Sequence, residues 1–194
     1  MTDKKIKALI QSVALQDSQS AFKTLFYHFY PSLFSFSNAF VKCRESAEEI
    51  VEDAFIRLWD RRATLPQIAN LKVYLWVTVK NLSINYLERS GKPYAADLNQ
   101  LDVSCAALVP TPEDLMVAAE MAHAINKVIS ELPPRCRIVY KLVREDGLKH
   151  KEVASILQIS PRTVEHQIAL ALRRIAAAIR MDFKVSDTAR FNNS

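Results

Sequence analysis

The sequence predicts an all-α protein of two small helical domains joined by a linker, the second of them containing a helix-turn-helix. Three observations carry this. Only two glycines, Gly91 and Gly147, occur in 194 residues, too few for a set of tight hairpins. Apolar residues recur at i, i+3, i+4 and i+7 through most of the chain, the period of one helix face. Residues 90–112 break that period with Gly91, Pro93, Pro110 and Pro112, and read as the division between two domains.

The first domain is expected over residues 1–90. Its first residues, Met1-Thr2-Asp3-Lys4-Lys5, lead into a mixed stretch with no long apolar run. Phe22, Leu25, Phe26 and Phe29 mark a first helix, with Pro31 expected as a turn or kink. Ala47, Ile50, Val51, Ala54, Phe55 and Leu58 mark a second, for which Ser46 followed by Glu48 and Glu49 is a plausible start. Residues 61–67 lose the period and read as a loop. Leu71, Leu75, Val79, Leu82 and Tyr86 then define a third helix, with Trp76 and Lys80 pointing outward.

The linker is expected over 91–110 and the second domain over 111–180. Ala118, Met121, Ala122, Ile125, Val128, Ile129 and Leu132 give it a first helix that Pro133-Pro134 ends. Three more helices are expected at 135–145, 149–157 and 161–180, followed by a polar, frayed tail at 181–194.

The last two helices form the most informative segment. Val153, Ile156, Leu157 and Ile159 give one an inner face; Val164, Ile168, Leu172 and Ile175 give the next its own, and the small Ala154 allows close crossing. A turn of about three residues separates them. Ser160 suits an N-cap and Pro161 the first helical position. The exposed start of the following helix carries Arg162, Thr163, Glu165 and His166, donors and acceptors suited to base edges or phosphates in a major groove. Residues 135–180 hold ten Lys/Arg against four Asp/Glu, so the basic surplus of a chain with net charge +5 is concentrated here.

Other chemistry is poorly represented. The four histidines lie far apart without paired cysteine or carboxylate ligands, and no glycine-rich phosphate loop is present. No enzyme activity, metal or cofactor is expected. Three widely spaced cysteines, Cys43, Cys105 and Cys136, suit a reducing compartment, and neither a signal peptide nor a transmembrane run is visible, so a cytoplasmic protein is expected.

Leu132-Pro133-Pro134-Arg135-Cys136-Arg137, the run Glu145-Asp146-Gly147-Leu148-Lys149-His150-Lys151-Glu152-Val153-Ala154, and Thr163-Val164-Glu165 resemble the promoter-binding C-terminal domain of bacterial sigma factors of the extracytoplasmic-function class. Ala47-Glu48-Glu49-Ile50-Val51-Glu52-Asp53-Ala54-Phe55-Ile56-Arg57-Leu58-Trp59 resembles that family's polymerase-binding helix. Tyr74-Leu75-Trp76, Lys80-Asn81-Leu82 and Tyr86-Leu87 resemble its promoter-opening helix. Asn85 departs from a frequent aspartate, and Gln158 from a residue tolerant of a left-handed turn.

The resemblance implies a subunit that binds core RNA polymerase and promoter DNA, with no small-molecule substrate, held inactive by an anti-sigma factor that is often membrane-bound. It implies that Glu49, Glu52, Asp53 and Trp59 dock on polymerase. It also implies that Leu65 and the loop through Asn70 line a pocket for minus-ten bases, with Asn81 reading a base edge. Trp76 then stacks on a base or packs in the core, and Lys80 meets the DNA backbone or is a solvated amine. Arg162, Thr163, Glu165 and His166 read the minus-thirty-five element. Two rivals stay open on the sequence: a ligand-sensing regulator that binds an operator as a dimer, and a helical adaptor that binds only proteins.

Overall fold

The computed structural model describes residues 1–91 and 117–191, with side chains described for 1–91 and 123–180. The expected linker beyond Gly91, its three prolines, Cys105 and the side chains of Ala118, Met121 and Ala122 lie outside the described residues. The chain divides into two compact units, Met1–Ala96 and Asp97–Ser194, and the described residues of both are built from helices.

The first unit begins with a helix that the sequence did not lead us to expect. Helix α1 (Asp3–Gln16) buries Ile6, Ile10 and Val13, while Leu15 on the same helix is 79% exposed. It packs against α2 (Gln19–Val41) and against the 3-10 turn Arg62–Gln67, so its stability comes from tertiary contact. Asp17 ends it in the left-handed region (φ 49°), and Ser18 starts α2 by accepting from the Ala21 N–H at 3.3 Å.

Pro31 does not interrupt α2, contrary to expectation. The ring is exposed, and Tyr27, whose carbonyl loses its helical donor to Pro31, is 69% exposed, so the unpaired carbonyl lies on the solvent side. Helix α3 (Arg44–Asp60) starts before Ser46, from Cys43. Ser46 is instead a buried residue of the first turn whose hydroxyl donates to Tyr86 Oη at 2.8 Å.

Helix α4 (Leu71–Arg89) is capped by Asn70, which accepts from the Val73 N–H at 3.2 Å. Its buried line is Leu71, Leu75, Trp76, Val79, Lys80, Ser83 and Leu87, whereas the expected Leu82 and Tyr86 are half-buried. Ser83 replaces an apolar residue there because Ser37 on α2 faces it at 3.1 Å, satisfying both hydroxyls inside the core.

The second unit comprises α5 (Val117–Ser130), α6 (Pro134–Tyr140), a π turn (Lys141–Glu145), α7 (His150–Leu157) and α8 (Pro161–Phe191). Helix α8 packs against α5, α6 and α7. Ile129, Leu132, Cys136, Ala171 and Ile175 form one core cluster, with Ile125, Val128, Tyr140, Leu170 and Ile179 against it. Ala171 takes the place expected for Leu172, which is 38% exposed. The expected frayed tail is helical in its backbone to Phe191, consistent with the lack of Pro and Gly from Met181 onward.

The π turn is held by Lys141, buried with its ammonium 3.4 Å from Glu145 Oε2 and 3.5 Å from Asp146 Oδ1. Gly147 follows at φ 65°, and the Leu148 N–H donates to the Leu142 carbonyl at 3.0 Å, closing the turn ahead of α7.

Gln158 ends α7 at φ 56°, ψ 44°, the left-handed conformation expected of it. Its side chain is exposed, so replacing it removes strain and little contact. Gln158→Gly is expected to stabilise the second unit by up to about 1 kcal/mol, read as a higher midpoint by calorimetry of the full chain; a clear fall would show that the side chain contributes more than the backbone strain costs.

Candidate nucleic-acid interface

The left-handed Gln158 turns the chain, and the next residue, Ile159, donates its N–H to the Ala154 carbonyl at 3.0 Å. Ser160 then accepts from the Thr163 N–H at 3.0 Å, and Pro161 occupies the first helical position. The first turn of α8 is thus fixed from both sides. Val164, Ile168, Ala171 and Ile175 point into the core, which leaves Arg162, Glu165, His166, Ala169 and Arg173 exposed on the opposite face.

Three of the four residues expected in this role, Arg162, Glu165 and His166, lie on that face. Thr163 is half-buried and its hydroxyl meets Ser160 Oγ at 2.8 Å, so it supports the cap. Lys149 and Lys151 are also exposed at the start of α7. They add positive charge at the start of α7. Glu152 is turned to local use, accepting from the Lys149 N–H at 2.8 Å.

In the first unit Glu49, Glu52 and Asp53 are exposed on α3. Ile56, overlooked in the sequence because it continues the apolar run of the helix, is 58% exposed on the same helix. Trp59 is half-buried rather than displayed: its ring meets Phe22 at 4.9 Å and lies under the Arg62 guanidinium at 4.9 Å. Tyr30 on α2 lies alongside, its phenol pushed up by burial and then by the carboxylates of Glu48 and Glu52.

The residues expected to meet minus-ten bases separate into two groups. Asn81 is exposed, as are Pro66, Gln67, Ala69 and Asn70. Leu65, Trp76 and Lys80 are corrected: they are 0%, 1% and 5% exposed. Leu65 anchors the 3-10 turn from inside. Trp76 packs edge-on to Phe29 with ring centroids 6.1 Å apart and offers no free face for stacking. Lys80 sits one turn further along the same buried side of α4, so its side chain is not displayed on the surface. Burial alone pushes its ammonium below the usual lysine range, and no carboxylate pairs with it among the described residues.

Comparison with known proteins gives the family. Residues 25–92 match the Sigma-70 region 2 family and residues 122–175 the Sigma-70, region 4 family. The chain belongs to the sigma-70 family. Within it, the chain is a sigma factor of the extracytoplasmic-function class. It is 26% identical to the ECF RNA polymerase sigma-E factor of Escherichia coli K12 over 176 residues, 87% of this chain and 91% of that protein. It is 28% identical over 128 residues to the probable RNA polymerase sigma factor RfaY of Xanthomonas campestris; that match takes in 65% of this chain and 32% of the longer relative. The fold is similar to a structure of CnrH in complex with the cytosolic domain of CnrY (TM-score 0.53, 17% identity, 92% of this chain and 99% of that one). It is also similar to RpoE with the anti-sigma factor NepR from Bartonella quintana (TM-score 0.50, 19% identity, 83% and 98%). Sigma factors are not a class of enzymes.

A partly desolvated ammonium with no carboxylate beside it opposes folding, so Lys80→Met is expected to stabilise the first unit by up to about 1 kcal/mol at neutral pH. Because the folded value is lowered, the unfolded chain binds the extra proton and wild-type stability rises with pH. The advantage of the variant should therefore shrink as pH climbs through the lowered folded value towards about 10.4; a pH-independent difference in thermal midpoint would show that charge is not its origin. On α8, Arg162→Ala and His166→Ala are expected to cost about 1–3 kcal/mol each at a matched upstream element and far less at a scrambled one. Equal losses on both duplexes in a binding titration would reduce these residues to phosphate contacts.

Proposed function

We propose that this sigma factor divides its work between three exposed surfaces. The face of α8 carrying Arg162, Glu165 and His166 reads the duplex minus-thirty-five element, with phosphate contacts from the surrounding basic residues supplying most of the affinity. The exposed rim of the α3–α4 connection, residues 66–70, together with Asn81, meets unpaired minus-ten bases. Glu49, Glu52 and Asp53 dock on core polymerase, joined by Ile56. The single observation that carries the reading is the presence of both family segments in order on one chain, each with its exposed polar face intact.

The reaction chemistry belongs to the polymerase, and this chain contributes binding energy and no catalytic group. The two structural neighbours that were captured with CnrY and NepR support an inhibitory partner for this chain as well. A cytoplasmic site of action fits these partners. Among the described residues no helix is long and apolar enough to cross a membrane.

The test is reconstituted transcription with core polymerase on a library of genomic templates, where defined start sites are expected only when this chain is added. Reversing Glu52 and Asp53 to Lys should weaken core binding by about 2 kcal/mol or more, roughly thirtyfold, because an exposed acidic strip beside Ile56 would turn repulsive. Both side chains are exposed, so the fold should persist, and duplex binding by the α8 face should not change. Wild-type core affinity in that double variant would remove α3 from the docking surface, and failure of the wild-type chain to bind core would favour an operator-binding regulator.

A further inference from the structure

Arg62 begins the connection between α3 and α4 and holds three groups at once. Its Nε donates to Asp17 Oδ1, at the left-handed corner between α1 and α2. Its Nη1 donates to the Trp59 carbonyl at 3.3 Å, in the last turn of α3. The guanidinium also lies over the Trp59 ring, which is itself fixed against Phe22. Three residues on, Leu65 is fully buried, and α1 packs against this 3-10 turn. At the far end Asn70 is committed to capping α4.

The connection is thus held at both ends and at one interior anchor, while Pro66, Gln67, Ala69 and Asn70 stay exposed. An ion pair with side chains 33% and 67% exposed adds little to stability, so the consequence of the Arg62 contacts is geometric. A guanidinium can stack on an indole while donating in two other directions; an ammonium is a point charge without that fork.

We propose that Arg62, with Asp17 at the end of α1 as its counter-ion, is a positioning residue for promoter opening. It holds the exposed rim 66–70 in the orientation that receives unpaired bases of the non-template strand. This rests on the minus-ten role given above to that rim. Helix α1 thereby acquires a role as well, bracing the connection through Asp17 and through its packing on the 3-10 turn.

The experiment compares full-length wild type with Arg62→Ala, Arg62→Lys and Asp17→Asn, each assembled with core polymerase. Transcription is measured from one promoter recovered with the wild type, as closed duplex and as the same duplex with its minus-ten region pre-opened by mismatches. Arg62→Ala is expected to lower initiation on the closed duplex about tenfold, since small misplacement of a binding group has effects of this order or more. It should come within about twofold of wild type on the pre-opened template, with core affinity and thermal midpoint unchanged. Asp17→Asn should show the same pattern with a smaller loss, and Arg62→Lys should recover only part of the activity. Equal losses on both templates, or a loss that tracks reduced midpoint or core affinity, would make Arg62 a structural residue only and overturn the proposal. Wild-type behaviour of Arg62→Ala would overturn it too. Absence of defined initiation by the wild type on either template would sink the sigma reading itself, which is a separate outcome.

Discussion

Helix α8 is at once a wall of the second unit's core and the surface we propose for DNA, so what that unit can do depends on where α8 begins. Val164, Ile168, Ala171 and Ile175 tie one side of the helix to α5, α6 and α7. A helix repeats every 3.6 residues, so fixing that side also fixes the azimuth of Arg162, Glu165 and His166. The remaining freedom is the register of the first turn. Gln158 in the left-handed region, the Ser160 cap and Pro161 at the first position remove it within four residues. Strain at Gln158 and the cost of an exposed turn are the means by which the reading face is placed.

The first unit meets a different constraint, because its exposed surfaces must stay open while its core is small. Helices α2, α3 and α4 pack on one another, and polar residues that enter the core are matched locally: Ser37 with Ser83, Ser46 with Tyr86. The exception is Trp76, whose buried Nε1 has no hydrogen-bond partner among the described residues; Lys80 buries its stem, and desolvation lowers its ammonium. The acidic face of α3 avoids that difficulty by staying in water, where Glu49, Glu52 and Asp53 carry their charge at little cost. Ile56 exposed among them is the kind of apolar centre that gains from losing its water to a partner, with charge around it to select that partner.

The polar residues of the second unit show the same economy of local pairing. Lys141 is buried in the π turn, yet two carboxylates lie within 3.5 Å of its ammonium. Such a pair adds little net stability over apolar packing, but either partner alone would be costly, so it specifies how the chain leaves α6 and enters α7. Cys136 is similarly absorbed: its thiol donates to the Gln167 carbonyl at 3.2 Å, tying α6 to α8, and burial raises it above the usual thiol range.

Local signals in the sequence determined a large part of this protein. Periodicity located α2, α3, α4, α5, α7 and α8, and Ser160 and Pro161 located the start of α8, because a cap is chosen within a few residues. Helix α1 was not expected, although Ile6, Leu9, Ile10 and Val13 stand at helical spacing; it packs on α2 and on the 3-10 turn. Only tertiary structure decided which side of α4 is inward. Trp76 and Lys80 carry a polar atom each and were read as outward, but α4 packs against both α2 and α3, and a helix with two packed neighbours buries a wider arc than its apolar stripe announces. The same reason separates Arg62 from its partners in the sequence: Asp17 lies 45 residues away, and no local pattern records that a corner between two other helices will meet it.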